Sequence, residues 1–165
     1  MPEPISPEPI TDEEALRRLR EFLSHLEQLL LVVATKSPEI IPGRHQEAML
    51  AAWKTVQPKF AAARSKLEFK AATGIISRLR EAGLLGDELV FKLSIFNHAH
   101  DEFRDARMKA EVQLADQPWW KRWFKRAMKA GDVILGSLAK VLPPLEAVKE
   151  YKESIEAGME LGEEL

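Results

Sequence analysis

The sequence predicts an all-α fold, an antiparallel bundle of four to five helices. Three features lead there. Apolar residues recur every three or four positions through most of the chain, prolines and glycines cluster between those runs, and no stretch alternates with period two. With 165 residues, 45% hydrophobic and 30% charged, the chain can bury one sizeable core. A single helical domain is expected over residues 11–165, behind a disordered Pro/Glu-rich N-terminus over residues 1–10 with Pro2, Pro4, Pro7 and Pro9.

The first helix is expected from Asp12 to Thr35. Thr11 and Glu14 stand three apart as a capping box, and Leu16, Leu19, Phe22, Leu23, Leu26, Leu29, Leu30 and Val33 follow at helical spacing. Ser37 to Gly43 is rich in helix breakers. A second helix starts near Arg44 with Met49, Leu50, Trp53 and Val56 on one side, and Pro58 should kink or interrupt it. Its pattern resumes through Phe60, Ala63, Leu67, Ala71, Ile75, Ile76 and Leu79, with Gly83 as a C-cap. A third helix begins near Gly86 and Asp87 and carries Leu89, Leu93, Phe96, Ala99 or His100, Phe103 and Ala106. The fourth is capped near Asp116, holds Pro118 in its first turn and runs to Leu142, where Pro143 and Pro144 stop it. The fifth runs from Leu145 through Val148, Tyr151, Ile155, Met159 and Leu161. The core should include Leu19, Phe22, Leu26, Trp53, Leu67, Leu93, Phe96, Phe103, Ile134 and Leu138.

Little in the chain suggests catalysis. There is no cysteine, hence no disulfide, no thiol nucleophile and no thiolate-bound metal, in keeping with a reducing cytosol. His98 and His100 are two apart on a helix and point away from each other, while His25 and His45 lie on other elements, so no metal site is expected. No Gly-x-Ser-x-Gly elbow appears, and the glycines at 131 and 136 are not followed by the Lys-Ser/Thr of a phosphate loop. Those two glycines read as a smooth patch for helix crossing. The expectation is no catalytic residue, no cofactor and no enzyme. The N-terminus has neither the basic nor the apolar region of a signal peptide, and the apolar run from Leu29 to Ala34 is too short to span a bilayer. A soluble, cytoplasmic chain is expected.

One segment stands apart in chemistry. Trp119, Trp120, Trp123, Phe124, Ala127 and Met128 share one stripe of the fourth helix, and Lys121, Arg122, Lys125, Arg126 and Lys129 share the other. A basic face opposed to an aromatic one suits a membrane surface or a partner protein; the plainer alternative is an aromatic stripe packed into the core. Charge is uneven along the chain although the net is only −2. From Trp119 to Lys140 six cations face Asp132 alone, a local +5; from Leu145 to Leu165 seven glutamates face Lys149 and Lys152, a local −5. The fifth helix should therefore fold back antiparallel along the fourth, glutamates near cations, where it could mask the basic face or simply complete the bundle. The overall balance argues against nucleic acid as a partner.

Residues Lys129 to Pro143, then Glu146 to Glu153 (EAVKEYKE), are similar to the end of small helical domains from bacterial conflict and programmed-cell-death loci. Those domains resemble the HeLo and Bell-type helical bundles. The resemblance covers only this part of the chain. It implies a non-enzymatic effector that is released or oligomerised by a signal and then acts at a membrane. The chain departs from the pattern in having no amyloid signalling motif and no apolar inserting segment at its N-terminus. Two functions are thus expected in order: an effector recruited to an anionic membrane through Trp119, Trp120, Lys121, Arg122, Trp123, Phe124, Lys125, Arg126 and Lys129, forming a homo-oligomer on activation; or a helical interaction module without membrane activity.

Overall fold

The computed structural model describes residues 10–40, 43–112 and 121–164, with the side chains at 33, 35–46, 110–121 and 158–164 outside that description. The described chain is helical throughout and contains no strand among those residues. Five long helices, α1 (Asp12–Ile40), α2 (Gly43–Lys66), α5 (Asp87–Val112), α6 (Lys121–Val141) and α7 (Leu145–Glu164), are joined in part by short pieces: α3 (Phe69–Ala72), a 3-10 turn (Thr73–Ile75) and α4 (Ile76–Glu81).

The helices close into a ring. α2 lies antiparallel on α1, since Arg20 reaches the Leu67 carbonyl and Glu27 pairs with Arg64 further back along α2. α7 packs on α2 through Tyr151 against Trp53, and on α6 through a hairpin turn. α6 lies antiparallel on α5, with Phe124 edge-on to Phe103 at one level and Gly131 against Phe96 at another. The ring closes where α5 meets α1, and there the two helices run the same way: Phe22 touches Phe96 and His25 stacks on His100.

All ten of the expected core residues are buried. Around them sit Leu16, Leu23, Leu30, Phe60, Leu79, Leu89, Phe124, Leu135, Leu142 and Ile155. Gly131 is where α6 crosses the α1–α5 pair: a Cβ there would stand 3.4 Å from Phe96 and 3.7 Å from Leu26. Gly136, expected to share that role, faces open space.

Local signals held unevenly. The Glu14 amide donates to the Thr11 hydroxyl at 3.1 Å, so the first helix is capped as expected. The Glu14 carboxylate does not return to Thr11; it takes Arg17 and Arg18 instead, and those guanidiniums hold its pKa at about 2. α1 runs past Thr35 to Ile40. Gly83, at φ +71, ends α4 with the Leu84 amide on the Leu79 carbonyl and the Gly83 amide on that of Arg80, a Schellman closure.

The expected break at Pro58 does not occur. α2 passes through it, with Pro58 exposed so that the carbonyl deprived of its helical donor can meet water. The helix stops instead after Lys66. Arg20 Nη1 donates to the Leu67 carbonyl at 2.7 Å, and Glu68 turns to extended backbone at ψ 141. A side chain from α1 thus takes an oxygen that a continuing helix would have used.

Candidate binding surface on helix α6

Burial sorts α6 along the two stripes anticipated for it. Phe124, Ala127, Met128, Ile134, Leu135 and Leu138 are buried, and Arg122, Arg126, Lys129 and Lys140 are exposed. Lys125 is half-buried. Trp119 and Trp120 lie outside the described residues, as does the Lys121 side chain. Of the aromatic residues that can be placed, Phe124 belongs wholly to the core. Trp123 is half-buried and borders a cleft of about 240 Å3 with Glu102, Asp105, Ala106 and Lys109 of α5. The Arg126 guanidinium lies over its ring, 4.7 Å from the centroid, a cation–π contact that keeps this charge at the surface. Phe124, Ala127 and Met128 of the stripe therefore pack inward and Trp123 does so in part, while the outward face of α6 is a line of cations interrupted by exposed Val133.

α7 does fold back antiparallel on α6. The turn is closed by the Leu145 amide on the Leu142 carbonyl and the Glu146 amide on that of Pro143. Leu145, Val148, Tyr151 and Ile155 are buried, which makes α7 an integral helix of the core; the side chain of Met159 lies outside the described residues. Among the described residues, the ion pair across this hairpin runs opposite to the expected glutamate-to-cation match; the side chains of Glu160, Glu163 and Glu164 lie outside them. Lys152 of α7 is completely buried and bridges Asp132 of α6 and Glu156 one turn on. Polarity is reversed, a base on the acidic helix meeting the acid on the basic helix. Lys152 shares the spacing of Leu145, Val148 and Ile155, and that spacing was the sequence signal for its burial.

A second feature was not visible in the sequence at all. His25 and His100 stack with ring centroids 4.8 Å apart and planes 18° from parallel. The pair divides the α1–α5 groove into two clefts, one of about 250 Å3 beside Arg17, Arg18, Glu21 and Asn97, the other of about 140 Å3 beside Gln28, Arg104 and Arg107. Burial first, and then the neighbouring His25, push the His100 imidazole below the ordinary histidine pKa of 6.5, against a weaker pull from Asp101. The His25 Nδ1 is buried without a hydrogen-bond partner among the described residues. His98, by contrast, is exposed and pairs with Glu102 at 2.9 Å.

Buried Tyr151 likewise has no partner for its hydroxyl among the described residues, and desolvation raises its pKa to about 12. Among the described residues no group of three or more His, Asp or Glu side chains is placed to hold a metal ion, and no helix is long and apolar enough to cross a membrane. No family model, curated protein or solved structure matches this chain.

Proposed function

We propose that this chain is a non-enzymatic helical module that docks on an anionic membrane surface through the outward face of α6. The observation that carries the reading is the exposure of Arg122, Arg126 and Lys129 along one line of a helix whose opposite side is locked in the core. Each such cation contributes about 1 kcal/mol near an anionic leaflet, so three together give a measurable, salt-sensitive affinity. Docking in the folded state is by charge. Insertion of the aromatic stripe requires Phe124 and Met128, both fully buried, to leave the core, and so requires a prior rearrangement. The setting implied by the resemblance of residues 129–153 is a cytoplasmic effector of bacterial conflict or cell death, recruited to the membrane on a signal.

Cosedimentation with phosphatidylserine-containing vesicles tests this. Binding at low salt should fade as salt rises and vanish in the triple variant Arg122→Glu, Arg126→Glu, Lys129→Glu, with helicity unchanged. Wild-type protein that stays in the supernatant at low salt removes the membrane reading. The second reading, a protein-interaction module, is favoured by a separate observation: large apolar side chains left exposed on the α5–α6 side.

A further inference from the structure

Three of the large apolar residues left in water lie on neighbouring helices. Phe91 is 68% exposed, Ile95 49% and Val133 55%. Phe91 and Ile95 are one turn apart on α5. The antiparallel register of α5 and α6 follows from two contacts, Phe103 with Phe124 and Phe96 with Gly131. The same register brings Ile95 level with Asp132 and Val133, and Phe91 level with Gly136. Single exposed apolar side chains are ordinary, but an apolar strip spanning two packed helices is an interaction feature.

Charge on either side of the strip says what covers it. Level with one end, α5 presents exposed Asp105 and α6 presents exposed Arg122. Level with the other end, α5 presents exposed Asp87 and α6 exposed Lys140. The α5 edge thus offers Asp105 and Asp87 where the α6 edge offers Arg122 and Lys140, with exposed Lys109 one turn beyond Asp105. Arg104 touches Asp105 only at 3.9 Å and is itself largely exposed, so that carboxylate stays open to a further cation. A face built this way is complementary to itself.

We propose that the α5–α6 face joins two copies of this chain about a two-fold axis running along the seam between the helices. That operation lays α5 of one copy over α6 of the other at the same level. Asp105 then meets the partner's Arg122, and Asp87 the partner's Lys140, around a centre of Phe91, Ile95 and Val133 from both copies. An axis across the helices instead would set α5 on α5, acid against acid. Two helix diameters by α6's length give roughly 600 Å2 per copy, the lower edge of a specific interface. The inference does not depend on the membrane reading, although the paired form holds Arg122 away from lipid.

Sedimentation velocity on the full chain, without vesicles, over a micromolar concentration series tests the pairing. The wild type should shift from monomer to dimer with concentration, and Phe91→Asp should remain monomeric with unchanged helicity. Arg122→Asp should weaken the dimer about tenfold, and adding Asp105→Arg to the same chain should restore it. A wild type that is monomeric throughout overturns the proposal. So does a dimer indifferent to Phe91→Asp, or a charge swap that weakens pairing further.

Discussion

The α6–α7 and α1–α5 seams of this bundle both enclose basic groups, and they handle them in opposite ways. Between α6 and α7, Lys152 is buried with Asp132 and Glu156 already bound to it, so its charge is compensated inside the fold. Between α1 and α5, two imidazoles stack face to face, and no carboxylate is as close to His100 as its own neighbour Asp101 at 3.6 Å. One seam is complete as a charged cluster; in the other, burial and the neighbouring His25 both disfavour the charged form of His100. The first is pinned by apolar residues on both helices and a two-proline turn, the second by ring contacts bordered by two clefts. Both basic groups are taken out of water; what differs is the partner supplied, carboxylates at Lys152 and a second imidazole at His100.

The largest expected effect comes from removing the ring that serves the weaker seam and also the α6 crossing. Phe96→Ala takes away contacts to Phe22 and to Gly131 at once and should cost about 3–5 kcal/mol in urea unfolding. A cost near that of a surface substitution would show that α1 and α5 are not held by this ring. Next comes the charged seam. Asp132→Ala combined with Glu156→Ala leaves the Lys152 ammonium buried and unpaired, at a cost of about 3 kcal/mol, because both acids are partly exposed and water can replace some of what they supply. Lys152→Met in the native background should be near neutral, since a similar volume fills the site without the charge. If the lysine replacement proves the more damaging of the two, the cluster does more than compensate a charge.

The smallest effect separates the seams by pH. His100 has its folded pKa below its unfolded one, so the unfolded chain binds the proton more readily. Stability is therefore complete above the ordinary histidine range and declines as the pH falls through about 6.5 toward the folded value. Glu14, with its pKa at about 2, gives up its contribution only far below that window and does not interfere. His100→Gln should flatten the dependence of the urea midpoint between pH 8 and 5. An unchanged slope in that variant would assign the acid sensitivity elsewhere.

How much of this was legible beforehand follows from the range of each interaction. The periodic core, the Thr11 cap, the Gly83 closure and the two stripes of α6 rest on spacings within one helix, and the sequence shows them directly. The interruption after Lys66 was not legible, because it depends on Arg20 reaching a carbonyl 47 residues away. Pro58 was weighed by its local cost, and tertiary packing on both sides of it overrode that cost. The same limit hid the histidine pair: His25 and His100 each look like an isolated polar residue on its own helix. Net charges of the two last helices suggested attraction between them but not its form, because a sum of charges does not say which single pair is buried.

The direction of α1 relative to α5 also orders events in time. α7 can settle on α6 across a two-proline turn, and α2 follows α1 with Ile41 and Pro42 between them. α1 and α5 run the same way, so no turn can join them, and Phe22 meets Phe96 only once the chain between them has been arranged. Contacts of that kind form late on the way to the native state. Phe96→Ala should therefore act chiefly by hastening unfolding, with the folding rate little altered. The seam that holds the stacked histidines is also the one whose closure completes the ring.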